Sequence, residues 1–87
     1  SLTSFPANMF DNNNASNYDR AFENNALDQQ SVDNILISIE ASAQANNITN
    51  GTLDIDGGTN ATPSATGQAA ADSLRNTFGW TVTLNGY

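Results

Sequence analysis

Cysteine, histidine and lysine are all missing from this 87-residue chain, and its only cations are Arg20 and Arg75. Without cysteine, neither a disulfide nor a thiolate zinc site can support the core. Without histidine, cysteine or lysine, the usual general bases, nucleophiles and Schiff-base formers are also gone, so an enzyme is not expected. Nine acids against two arginines leave a net charge of −7. That balance lacks the cationic surface on which nucleic-acid affinity rests, and anionic lipid should repel it. No apolar run approaches the roughly 18 to 20 residues that span a bilayer, so no membrane insertion is expected. No basic-then-apolar start suggests a signal peptide, and any targeting signal would have to lie outside these residues. The first residue is Ser1, which points to a processed, trimmed or partial polypeptide. What the chain does have is asparagine, 14 in all, with serine and threonine. Solubility therefore rests on amides and hydroxyls, a composition associated with secreted and virion surfaces, and an extracellular, cell-surface or virion location is expected.

The stretch from Gly51 to Tyr87 organises the rest. Thr52 to Asp56 alternates polar and apolar, the period of a strand with one buried face, and Trp80 to Leu84 alternates again. Between them lie a loop, Gly57 to Thr62, and an alanine-rich helix expected over Pro63 to Phe78. Pro63 suits that helix's first turn, Gly79 its left-handed close, and Ala70, Leu74 and Phe78 its buried row. Parallel strands need a crossover of a dozen or more residues, which Gly57 to Gly79 supplies. Leu53 and Val82 are 29 residues apart, as are Ile55 and Leu84, so the strands read as one position in successive coils.

A longer helix is expected over Asp28 to Ala45, where Val32, Ile35, Leu36, Ile39 and Ala43 make one apolar stripe. Asp28 or Ser31 can cap its start, Asp33 falls in its first turn, and Asn46 and Asn47 end it. Ile37 lies off the stripe, either packed on a neighbouring turn or exposed. Further back, Leu2 to Phe5 reads as a strand, Ser16 to Asn25 as a short helix on Tyr18, Ala21 and Phe22, and Ala26 to Asp28 as a very short strand. Asp11 to Asn14 is a turn.

Strands would then begin near Leu2, Ala26, Thr52 and Trp80, at intervals of 24, 26 and 28 residues. Intervals of this size belong to leucine-rich-repeat solenoids, with one strand and one helix or turn per coil. The expected fold class is α/β, a short right-handed leucine-rich-repeat-like solenoid with parallel strands and helices on the outer side. It forms a single domain over 1–87, the C-terminal fragment or cap of an array, with 1–27 an irregular repeat and 28–87 two strand/helix coils and a terminal strand. The alternative is a compact α/β sandwich with ordinary right-handed crossovers, differing in whether the strand order is strictly sequential.

The segments Leu2-Thr3-Ser4-Phe5-Pro6, Met9-Phe10-Asp11 and Ala21-Phe22-Glu23-Asn24-Asn25-Ala26-Leu27 resemble the atypical, BspA-like leucine-rich repeats of bacterial surface proteins. Ser31-Val32-Asp33-Asn34-Ile35-Leu36, Asp56-Gly57-Gly58-Thr59-Asn60-Ala61-Thr62-Pro63-Ser64 and Gly79-Trp80-Thr81-Val82-Thr83 are similar to the C-terminal ends of such arrays, as found in large tail-fibre or surface proteins of phages and bacteria. The chain departs from many such repeats at Asn24-Asn25, where a cysteine often follows the first asparagine. The resemblance implies a non-enzymatic recognition or adhesion role, binding protein or glycan on a cell or virion surface, with no cofactor. The alternative is a structural coat or fibre subunit, a homo-oligomer that self-assembles through its solenoid ends.

If Leu53, Ile55, Val82 and Leu84 point inward, then Thr52, Asp54, Asp56, Thr81, Thr83 and Asn85 point outward, joined by Asp28 on the preceding turn. Solenoids bind through such a sheet face, and these seven are the candidate ligand-binding residues. The plainer reading is a solvated surface. Asp54, Asp56, Thr59 and Asn60 have the opening rhythm of a calcium loop, but Ala65 stands where the twelfth-position glutamate belongs, so no metal is expected. Asp54 and Asp56 could be spaced as a glycosidase pair, though any two acids flanking one strand residue are. Leu2, Phe5, Phe78, Trp80 and Tyr87 are the candidate interface or capping residues, since a terminal coil must hide its apolar flank. Sequons at Asn14, Asn47, Asn50 and Asn60 occur in a number that this composition reaches by chance. Asn50-Gly51 and Asn85-Gly86, ordinarily hairpin signals, here flank strands.

Overall fold

A computed structural model describes residues 17–18 and 26–87 of the chain. Its longest element, α1 (Gln29–Asn46), starts where Asp28 leaves the extended conformation and accepts the Ser31 N–H at 2.9 Å. That bond satisfies one of the donors every helix start leaves unpaired. The helix stops at Asn47, whose φ of 52° is left-handed, and the next N–H, that of Ile48, reaches back to the Ala43 carbonyl at 3.0 Å. This back-bond is the Schellman arrangement, which asparagine tolerates and which drops Ile48 onto the core. The expected stripe, Val32, Ile35, Leu36, Ile39 and Ala43, is wholly buried, and Ile37 is exposed.

Because Asp28 is the cap, Gln29 is the first helical residue and Asp33 falls in the second turn, not in the first as its acidity suggested. Asp33 serves the other helix, α2 (Ala65–Asn76). One carboxylate oxygen accepts the Ser64 N–H at 2.9 Å and the other accepts the Ser64 hydroxyl. Ser64 occupies the N-cap position of α2 without capping it by its own side chain. Pro63 is thus two residues ahead of the first helical position, not in the first turn, and is buried. Two turns further along α1, Glu40 accepts from the Ser73 hydroxyl at 3.1 Å. Partners ascend together on both helices, so the helices run side by side in the same direction. Gly67, Ala70, Ala71 and Leu74 form the buried face of α2, with Phe78 half-buried against the core.

Three strands make a parallel sheet in the order β1 (Asn17–Tyr18), β2 (Thr52–Ile55), β3 (Thr81–Leu84). Leu53 pairs with Val82 and Ile55 with Leu84, the 29-residue register that the alternating patterns predict. Backbone landmarks keep the same interval. Asn50 and Gly79, just ahead of the two strands, have φ of 60° and 70°, and Gly57 and Gly86, just beyond them, 78° and 77°. The protein is a small α/β domain in which the inward residues of β2 and β3 share one core with both helices.

Two expectations at the N-terminal side are corrected. Asn17 and Tyr18 were expected in a helix over Ser16 to Asn25 but form β1, since pairing with Thr52 and Leu53 outweighs a weak local helical pattern. The rest of that segment, and the strand expected over Leu2 to Phe5, lie outside the described residues. Ala26 to Asp28 is not a strand. Leu27 is buried, and its N–H and carbonyl bond the Asn60 side chain and the Ala61 N–H, both at 2.9 Å, while Asp28 is already committed to capping α1.

Candidate functional site

Alternation along β2 and β3 buries Leu53, Ile55, Val82 and Leu84 and turns Thr52, Asp54, Thr81 and Thr83 to the other face. Across the ladder Thr52 stands beside Thr81 and Asp54 beside Thr83. Neighbouring strands are about 4.8 Å apart and alternate residues about 7 Å, so these side chains form a small lattice of hydroxyl and carboxylate groups. Thr81 and Thr83 are exposed, and Thr52, Asp54 and Asp56 half-buried. The lattice offers many acceptors, the donors of its hydroxyls, and no positive charge. Among the described residues no cavity is found.

Two of the seven candidates lie elsewhere, and Asp56 follows the end of β2, outside the paired residues. Asp28 belongs to no strand, and its carboxylate is held by Ser31, whose hydroxyl and N–H keep it below the usual aspartate range. Asn85 is half-buried and turned to the loop after β2: its amide oxygen accepts the Gly57 N–H at 2.9 Å, and its amide nitrogen donates to the carbonyls of Gly57 at 3.1 Å and Asn60 at 2.9 Å. Both side chains are occupied in organising backbone.

Asn60, in the loop after β2, does similar work. Only 4% exposed, it accepts the Leu27 N–H and donates to the Ile55 carbonyl at 3.2 Å. Its amide therefore ties Leu27 to the loop after β2, and Asp54 sits on a strand, so the opening rhythm of a calcium loop is not gathered around one point. Among the described residues no three carboxylates are close enough together to hold a metal ion. Nor is any helix among them long and apolar enough to cross a membrane.

The C-terminal aromatics divide. Trp80 is 3% exposed, its indole N–H donates to the Ile48 carbonyl at 3.0 Å, and its ring lies so near Gly51 that a Cβ there would come within 2.5 Å of it. Trp80 is core, and Phe78 leans on that core. Tyr87 is 41% exposed. Its hydroxyl donates to Asp72, 2.8 Å from both carboxylate oxygens, and that hydrogen bond holds the proton and pushes the tyrosine pKa up. The Arg75 guanidinium lies 5.4 Å from its ring centre. Leu2 and Phe5 lie outside the described residues.

Sequence reasoning assigned Asp33 to its own helix alone and passed over Asp72 and Arg75, which tie α2 to Val82 and Tyr87. A usable signal existed for Arg75, one of only two cations. No protein-family model, no curated protein and no solved structure matches this chain, so the chemistry of the face is argued from its own side chains.

Proposed function

We propose that this protein is a non-enzymatic recognition or adhesion module of a cell or virion surface, built as a short leucine-rich-repeat-like solenoid, that binds a protein or glycan through its strand face. The observation that carries the reading is the Thr52, Asp54, Thr81 and Thr83 lattice on the side of the sheet away from the shared core. Hydroxyl and carboxylate groups at strand spacing suit hydroxyl-rich ligands and peptide amides, which need many weak polar bonds.

The solenoid part of the reading is supported by the strictly sequential parallel order, by helices running in one direction, and by the left-handed residues recurring 29 apart. Coils stitched by side-chain amides, as at Asn60 and Asn85, fit the same architecture. The test is binding of fluorescently labelled protein to a glycan array and to intact bacterial cells, with and without protease treatment of the cells. Binding should be lost in the Asp54→Ala/Thr81→Ala/Thr83→Ala variant and retained in a variant altered at the exposed Ile37, on α1. Protease treatment distinguishes a protein receptor from a glycan. A folded triple variant that binds as the parent does would sink the reading.

A further inference from the structure

β3 ends the described sheet order, and an edge strand templates pairing with another chain unless something prevents it. The usual preventives are absent from the strand itself. From Trp80 to Tyr87 there is no charged residue and no proline, and Thr81 to Leu84 is made of good strand formers.

The backbone shows what stands in for them. The Thr81 N–H points inward to the Gly51 carbonyl at 2.9 Å. By alternation Val82 and Leu84 direct their backbone groups outward. The outward carbonyl of Val82 is taken by the Arg75 fork, Nε at 3.2 Å and Nη2 at 2.6 Å. Nη2 also donates to the Tyr87 carbonyl at 3.1 Å, the Tyr87 ring lies against the guanidinium, and the Tyr87 hydroxyl is tied to Asp72 one turn back on α2. Helix α2, Arg75 and Tyr87 thus close over the described edge.

We infer that Arg75 and Tyr87 guard the β3 edge, and that without the guard β3 pairs antiparallel with β3 of a second copy to give a two-fold dimer. The occupant follows from the strand's own symmetry. A two-fold axis at Thr83 sets Val82 opposite the partner's Leu84 and Leu84 opposite the partner's Val82, so the residues with outward backbone groups meet each other. Each such pair exchanges two hydrogen bonds. The two Thr83 side chains then lie across the axis, a favourable cross-strand pair, and Val82 and Leu84 extend the core face of one sheet into the other. This is independent of what the polar face binds.

The test is sedimentation equilibrium of the parent protein, Arg75→Met, Arg75→Lys and Arg75→Met/Thr83→Lys. Salt of roughly 0.5 M, where the screening length is under about 5 Å, offsets the extra repulsion between acidic chains that have lost a cation. Methionine keeps an apolar stem and removes the fork; lysine keeps the charge but cannot fork. The parent should sediment as one chain. Arg75→Met should sediment as two, with dimer dissociation at least tenfold tighter than the parent's, and Arg75→Lys should fall between. Adding Thr83→Lys should return the mass to one chain, because two like charges would face each other across the axis. Parent and Arg75→Met dimerising alike, a folded Arg75→Met that stays single, or assemblies larger than two would each overturn the inference. If Arg75→Met does not fold, Arg75→Lys decides alone: sedimentation identical to the parent's refutes it.

Discussion

Replacing Asn60 by alanine should cost more than any surface substitution in this domain, because the amide is buried and both its ends are engaged. The Leu27 N–H it accepts belongs to a residue that is 1% exposed and would be left without that partner. Stranding a buried donor costs about 1 to 3 kcal/mol. The Ile55 carbonyl loses one bond at 3.2 Å, and a carbonyl with a second lone pair suffers less, so the total is about 2 to 3 kcal/mol. Against the roughly 4 to 13 kcal/mol that a domain of this length commands, the variant should still fold at low temperature. Urea unfolding followed by far-ultraviolet circular dichroism reads the effect directly. With a slope near 1 kcal/mol/M for so small a chain, the midpoint should fall by about 2 to 3 M at unchanged slope. A loss below about 0.5 kcal/mol, the range of ordinary surface changes, would refute the claim that Asn60 ties Leu27 to the loop after β2.

Asn60→Asp sharpens the same argument. The new carboxylate still accepts from Leu27, but the group facing the Ile55 carbonyl becomes an acceptor, and the charge is desolvated. Both effects raise the folded-state pKa above the ordinary aspartate value of about 3.9. Protons therefore bind more tightly to the folded than to the unfolded form. The penalty should be smallest at low pH, where the protonated group can donate, and should grow as pH rises through the folded-state pKa. A deficit relative to the parent that is flat from pH 4 to pH 8 would show that the amide nitrogen does not matter.

Gly67→Ala should destabilise even though alanine favours helix by about 1 kcal/mol, because its Cβ would collide with the Asp33 carboxylate. Thermal unfolding of Gly67→Ala, Asp33→Ala and the double variant should show strong non-additivity, and additive losses would dissociate the two residues. Gly51→Ala should push Trp80 off its seat, costing about 1 to 3 kcal/mol and shifting indole fluorescence to the red; an unchanged spectrum at full stability would contradict the contact. Asp28→Asn should lower stability near neutral pH. Since the Asp28 carboxyl is held below its ordinary pKa, its contribution is complete above that ordinary value and disappears as pH falls through the lowered one. Parent and variant unfolding curves should therefore converge in acid, and a gap that persists at pH 2 would assign the effect to something other than this charge.

What was legible in the sequence was whatever repeats or acts locally. The 29-residue offset of Leu53 and Val82 fixed the register of β2 and β3, because a one-residue slip would turn every buried side chain outward. The stripe of α1 and its asparagine stop were legible for the same reason: helical spacing and a left-handed close are properties of adjacent residues. The outward placement of Thr81 and Thr83 then followed from alternation alone. Asp33 and Asn85 show where such reading ends. An acid near a helix start looks like a partner for that helix's dipole, and an asparagine after a strand looks like surface. Each instead bonds backbone roughly 30 residues away, Ser64 in one case and Gly57 in the other. Where parallel strands are joined by crossovers of about 30 residues, side chains that look idle locally can bridge segments one crossover apart. The same rule gives Arg75 its role, in reverse: it turns to the Val82 carbonyl, on the outward side of the strand that ends the described sheet. A long cation in the last turn of α2 both complements the helix dipole and covers that carbonyl, which lysine, lacking the fork, would do less completely.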